Sequence, residues 1–176
     1  MYPFLRHAKE VLAARRAPKL GLFDPHVGQH ICWPWDLDPW AELNDGRTLS
    51  AFDFGRTALG LRTDMDRLLL AKGWGMAVAG SSVRYRKRVT AFTRLTMHSR
   101  CIGWDDRFIY NEQSMWRGED CTSHVLIRSA ITSKPGIVPP VELARAAGIS
   151  LESPALPDWV LAWIKADACR PWPPSR

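Results

Sequence analysis

The segment Trp33–Arg56, WPWDLDPWAELNDGRTLSAFDFGR, decides how the chain is read. It places three tryptophans and two spaced carboxylates, Asp36 and Asp38, directly ahead of a helix-like run. Asn44, Asp45 and Gly46 are all comfortable at positive φ and mark a turn. From Arg47 to about Leu61, the apolar residues Leu49, Phe52 and Leu59 are mixed with Ala51, Gly55, Ala58 and Gly60. Glycine costs helix stability unless something approaches closely, so this mixture predicts a packed central helix. Just upstream, HICWPWDLD (30–38) reads as a strand that Pro34 confines to an edge or a bulge. The residues before it, GLFDPHVGQH (21–30), read as a loop.

Working outward, TDMDRLLLAKGWG (63–75) predicts a second short helix, with Asp64 near its start and Gly73 as its stop. After Gly75 the period changes. MAVAGSSVRYRKRVT (76–90) alternates in its second half, with Val83, Tyr85 and Val89 on one face and Arg84, Arg86 and Arg88 on the other. TRLTMHSRCIGW puts Leu95, Met97 and Cys101 on one face. RFIYNEQSMW and SHVLIRSAIT follow at hairpin spacing, with WDDR and RGEDC as turns. These are four long antiparallel strands, and their alternation leaves one face to water or to another subunit. At the N-terminus, Phe4, Leu5, Ala8, Val11 and Leu12 recur at helical spacing, so Pro3–Arg16 predicts an amphipathic helix ended by Pro18. Such a helix either caps its own domain or lies on a membrane surface. The tail holds two short helices separated by prolines, the second packed back on the domain through Trp159, Val160, Trp163 and Ile164.

The chain of 176 residues is long enough for one domain with a real core. Its net charge of +6 favours an anionic partner or simply a basic surface. The four cysteines show no C-x-x-C pair, which argues against zinc and fits reduced thiols in a cytoplasmic protein. No window approaches the ~18 apolar residues of a membrane span. The first twenty residues carry charges that interrupt any signal-peptide core. His98 and His124 lack further ligands at metal spacing, so no metal is expected. No Gly-rich phosphate motif occurs.

The segment Asp36–Leu49 resembles the D-x-D-x-x-x-H-x-N-N-A-x-Y-L run of the 4-hydroxybenzoyl-CoA thioesterase-like hotdog family. Within it the chain is most similar to the branch that includes thioesterase superfamily member six. Trp104–Tyr110 (WDDRFIY), the strand Gly80–Arg86 (GSSVRYR) and Pro154–Pro157 (PALP) match that branch in order. The resemblance covers roughly 29–133, with a weaker echo to Trp163. It implies an α+β hotdog fold, a long central helix wrapped by a curved antiparallel sheet. Here that would be one domain over 1–176, with an N-terminal helix at 1–20, the core at 29–133 and a helical tail at 137–176. It also implies a homodimer or pair of dimers, with acyl-thioester sites at the interface and coenzyme A present only as part of the substrate.

In catalytic relatives the second Asp of D-x-D acts on the thioester carbonyl as nucleophile or base, which is Asp38 here. Glu42 stands where the family has His, Asp45 where it has the second Asn, and Thr48 where it has Tyr. The expected catalytic set is Asp38, Glu42 and Asn44. Asp36, Trp40, Asp45, Thr48, Arg84 and Arg86 are expected around the substrate. One carboxylate to activate water and helix-start N–H groups for the oxyanion suffice for thioester hydrolysis. Trp33, Trp35 and Trp40 would wall the acyl group. Turn and helix-cap chemistry is the other account of Asp36 and Asp38. The arginines either hold the phosphates of coenzyme A or form a solvated strand face. The function expected is hydrolysis of an acyl-CoA or acyl-carrier-protein thioester; the alternative is a non-catalytic acyl- or lipid-binding hotdog protein. Nucleic-acid binding is disfavoured, because alternation turns Tyr85 away from the arginines.

Overall fold

A computed structural model describes residues 3–174. The chain forms helix α1 (Phe4–Arg16), strand β1 (His26–Ile31), helices α2 (Asp45–Arg62) and α3 (Met65–Lys72), and strands β2 (Gly75–Tyr85), β3 (Arg94–Trp104), β4 (Ile109–Arg117) and β5 (Asp120–Ser133). A short β6 (Gly136–Val138), α4 (Pro140–Ala147) and α5 (Asp158–Ala168) complete it. All pairings are antiparallel, in the order β1-β3-β4-β5-β2, with β6 on β5. The curved sheet wraps α2, as the small residues of that helix predict. A Cβ on Gly55 would stand 2.4 Å from Ser99 Oγ and 2.8 Å from Met97 Sδ, so only glycine lets β3 approach so closely.

Helix α2 is sandwiched. Ala51 and Phe52 join Leu95, Met97, Met115, Val125 and Ile127 in the main core on the sheet's concave face. Phe54, also buried, meets His7 of α1 and His30 of β1 edge-on or tilted. Two covered sides explain why the apolar residues of α2 show no single stripe. On the convex face Val160 of α5 is fully buried against Tyr110 and Leu126, and Arg128 is held by Asp167 at 2.7 Å. The outer face of the sheet is therefore partly covered by the chain's own tail.

Two expectations are corrected here. The predicted loop 21–30 ends in β1, and the strand predicted for 30–38 stops at Ile31. Pro34–Asp36 is instead a turn of 3-10 helix, which suits a proline at its first position. The one-sided arginine stripe also fails as a strand pattern. β2 ends at Tyr85, Arg86 and Lys87 both donate their N–H to Thr122 O, and Arg88 turns back to Glu42. Within β2 an extra residue, Ala79, sits between the pairs Val78–Ser129 and Gly80–Arg128. The bulge reverses the alternation, so Met76 and Val78 share a face with Ser81, Val83 and Tyr85.

The inward positions of β1 carry His26 and His30, both buried, with Nε2 unbonded among the described residues. Burial, with Arg62 beside His26 and Arg6 and Lys9 near His30, lowers both imidazoles to about 4. The unfolded chain takes up these protons near pH 6.5 and the folded chain resists them. Stability is therefore full above that pH and is lost as pH falls towards 4. We expect Tm to drop by roughly 5–10 °C between pH 7 and pH 4.5. A thermal melt series checks this, and a flat profile overturns it.

Candidate functional site

The loop between β1 and α2 is built on Asp36. Its carboxylate is 1% exposed and takes Arg6 Nη1 at 2.8 and 2.6 Å. Oδ2 also accepts the Trp33 N–H at 3.0 Å, and the Asp36 carbonyl accepts the Asn44 N–H. Arg47 lies 3.9 Å away. Asp36, expected around the substrate, is instead an internal anchor that ties α1 and the start of α2 to one turn.

Asp38 opens the next turn. Its N–H donates to Glu42 O at 2.8 Å, and Ala41 closes the turn at φ +57. Asp38 Oδ1 accepts the N–H groups of Trp40 and Glu42 at 2.9 and 3.1 Å. Oδ2 has no hydrogen-bond partner among the described residues. A cleft of about 360 Å³ lies over this turn, lined by Asp38, Trp40, Glu42, Asn44, Asp45 and Thr48. Six of the expected site residues therefore meet at one place.

Their roles divide. Glu42 is held by Arg88 Nε at 2.7 Å, so its charge is already paired. Asn44 caps α2, its Oδ1 accepting the Arg47 N–H at 3.2 Å. The buried Thr48 hydroxyl returns to Asn44 O. The Asp45 side chain accepts the Gly46 N–H at 2.8 Å, and the Asp45 N–H itself is unbonded among the described residues.

Arg84 and Arg86 stand outside the cleft. Arg84 pairs in the sheet with His124, whose ring meets Trp159 of α5 on the convex face. Trp33 and Trp35 stack on each other at 5.3 Å with Phe92 at their edge, and only Trp40 of the three reaches the cleft. Three residues of the opposite wall were not anticipated as site residues: Tyr85, Lys87 and Ser123. The Tyr85 phenol is pushed up by burial and by the nearby Asp45, which keeps it a hydrogen donor. Its place after the bulge, on the strand face turned to α2, was the available signal. A second polar group lies farther along α2, outside this cleft, where Arg56 bridges Asp53 and Gln113 at 2.9 Å each and Gln113 donates to Phe52 O; Asp53 and Arg56 line a separate cavity. Among the described residues no three His, Cys, Asp or Glu side chains gather as a metal cage.

Known proteins resemble this chain in sequence and in fold. Residues 32–164 match the family model of the thioesterase-like superfamily. The chain is 32% identical over 166 residues to Protein THEM6 of Xenopus laevis, covering 92% of this chain and 78% of that one. It is 26% identical over 139 residues to Protein THEM6 of Drosophila melanogaster, covering 77% and 70%. Among solved structures, a variant 4-hydroxybenzoyl-CoA thioesterase complexed with 4-hydroxybenzoyl-CoA superposes with a TM-score of 0.61 at 9% identity, over 70% of this chain and 98% of that one. Slr0204, a 1,4-dihydroxy-2-naphthoyl-CoA thioesterase from Synechocystis, gives 0.59 at 8% identity, over 70% and 95%. The structural likeness makes this a hotdog fold. With a family match that spans the turn, the helix and every long strand, the chain belongs to the thioesterase-like superfamily.

Proposed function

We propose that the chain hydrolyses an acyl thioester of coenzyme A or of an acyl-carrier protein, with Asp38 as the working carboxylate. The observation that carries this reading is Asp38 itself. One oxygen is fixed by two N–H groups, and the other is without a partner in a cleft beside a helix start. The thioesterase neighbours, one of them complexed with 4-hydroxybenzoyl-CoA, support a coenzyme A thioester as the substrate class.

In the water route Oδ2 takes a proton from water as the water oxygen bonds to the carbonyl carbon. The oxyanion is met by the Asp45 N–H at the positive end of α2 and by the Tyr85 hydroxyl. Collapse breaks the C–S bond, and the thiolate recovers the proton from Asp38. In the direct route Oδ2 bonds to the carbon, the thiolate leaves, and water hydrolyses the resulting anhydride. A screen of acyl-CoAs from short to long and aromatic tests the proposal. If nothing is cleaved but acyl-CoA binds, the non-catalytic acyl-binding reading replaces it.

Lys87 replaces Arg84 and Arg86 as the cation we assign to the coenzyme A phosphates. It lines the cleft, and its pairing to Asp120 is loose at 3.7 Å. Lys87→Gln is expected to raise KM for acyl-CoA about threefold to tenfold with little change in kcat, an effect that fades with salt. Equal KM values in the two proteins overturn the assignment.

We further infer a two-fold dimer through β2. This strand has a single neighbour, β5, and Met76, Val78 and Tyr85 on it are exposed. A long apolar edge left open is a template for a second copy. Sedimentation at micromolar concentration is expected to give a dimer or a pair of dimers. A monomer counts against a shared site.

A further inference from the structure

Helix α1 docks by its polar side. Of the residues whose spacing predicts its apolar stripe, Phe4, Leu5, Ala8 and Leu12 are exposed and only Val11 is half-buried. Leu5 keeps 89% of its surface in water and Leu12 52%. The side that meets α2 and β1 is made differently. Arg6 reaches Asp36, and His7 meets the Phe54 ring edge-on. The half-buried Glu10 lies over Gly28, 3.9 Å from where a Cβ there would stand. Ala14 is the one fully buried residue of the helix. An ion pair and ring contacts therefore hold α1 in place, and its leucines take no part in the core.

Leu5, Ala8 and Leu12 follow at helical spacing, so they share one outer stripe. Lys9 and Arg16 flank it on one side and Arg15 on the other, all three exposed. Neither arginine is paired among the described residues, whereas Lys19, next along the chain, is engaged by Asp64. Through Arg6 the first turn of α1 is tied to the Trp33–Asp36 turn. There Trp35 is 66% exposed and stacked on Trp33, with the exposed Phe92 at the Trp33 edge. Leucines bordered by cations, with tryptophan and phenylalanine beside them, match the two demands of an anionic lipid surface: apolar area to insert and positive charge for the phosphates. A second copy suits this face less well. It carries the same cations and a net charge of +6, so two such faces would oppose like charges. With 13 residues α1 is roughly 20 Å long, short of the ~30 Å hydrocarbon core, so its place is in the plane of the surface.

We propose that the outer face of α1, with Trp35 and Phe92 beside it, binds the surface of an anionic bilayer. Leu5 and Leu12 enter the headgroup layer, and Lys9, Arg15 and Arg16 meet lipid phosphates. The inference uses no residue of the Asp38 cleft and is independent of the thioesterase reading.

Flotation of the full 176-residue chain with lipid vesicles tests it. Phosphatidylcholine vesicles are compared with vesicles that also carry about 30 mol% phosphatidylglycerol, at ~50 mM and ~500 mM salt. The wild type is expected to bind the anionic vesicles at least about fivefold better than the neutral ones, and to lose that margin at high salt. Leu5→Gln/Leu12→Gln leaves every charge in place and is expected to cut binding about tenfold. Arg15→Glu/Arg16→Glu is expected to cut it about as far. Lys134→Glu/Lys165→Glu makes the same change of charge on the β5–β6 turn and on α5, and is expected to lose less than about twofold. All of these side chains are exposed, so the melting curves of the variants are expected to match the wild type. Wild-type protein that does not float with anionic vesicles overturns the proposal. A loss in Lys134→Glu/Lys165→Glu as large as in the α1 variants also overturns it, since the attraction then belongs to the net charge. So does flotation that Leu5→Gln/Leu12→Gln leaves unchanged; a shift in the sedimentation of that lipid-free variant then assigns the face to a second copy.

Discussion

Asp38→Asn is expected to lose at least about a hundredfold in kcat for any thioester the wild type cleaves, with Tm and assembly unchanged, the scale on which a positioned base acts. The expectation separates chemistry from architecture because of how Asp38 is held. Its Oδ1 accepts the Trp40 and Glu42 N–H groups, and an asparagine carbonyl oxygen accepts the same two bonds. The turn therefore survives the change. What disappears is the anionic Oδ2, replaced by an amide that neither attacks carbon nor takes a proton from water. Steady-state kinetics with a matched melting curve is the measurement. Wild-type activity in Asp38→Asn removes the residue from the mechanism. Glu42→Gln is the companion variant. Since Arg88 already neutralises Glu42, a loss matching that of Asp38→Asn would return Glu42 to the chemistry.

Asp36→Ala is expected to cost stability on the order of 3 kcal/mol, because it strands Arg6 in a partly buried site and leaves the Trp33 N–H without its acceptor. For a chain of this size that is a fall in Tm of roughly 6–12 °C. Arg6 keeps a quarter of its side chain in water, which holds the estimate at the lower end for a broken buried pair. Removing both charges in Arg6→Met/Asp36→Leu is expected to recover part of the loss, since neither partner is then left unpaired. If the double variant melts below Asp36→Ala, the ion pair is not what holds the loop. Activity is expected to decline less than in Asp38→Asn, through a loosened turn.

The central helix was legible because its small residues have one physical use, close approach, and the structure supplies the close neighbour at Gly55. β3 was legible because Leu95, Met97 and Cys101 fall on alternate positions, all of them inward. β1 was not, since its inward positions hold His26, Gly28 and His30, and two buried imidazoles flanking a glycine carry no apolar alternation. The turn around Asp38 was local in sequence, so its residues arrived together, from Trp40 to Thr48. The facing wall depends on pairing between β2 and β5, which no local pattern reports. Arg84 and Arg86 were favoured over Lys87 because the alternation was extended past Tyr85, where the strand has already ended. What the sequence did not show for Asp36 was its ion pair with Arg6, thirty residues upstream and on another element.

The extra residue at Ala79 has a consequence for which length changes this chain tolerates. Each half of β2 is locked by its own partners, Met76 and Val78 to the cavity that Asp53 and Arg56 line, Val83 and Tyr85 to the core and the cleft. Deleting Ala79 would join the halves into one uninterrupted zigzag, and one of them would have to turn inside out. Inserting a residue there would lengthen the excursion and slide the two recesses apart. The hairpin tip at Gly118–Glu119 bears no such duty and tolerates added residues freely. The spacing between the two recesses is thus counted out in single residues along one edge strand, and substitutions can reshape either recess only while that count is kept.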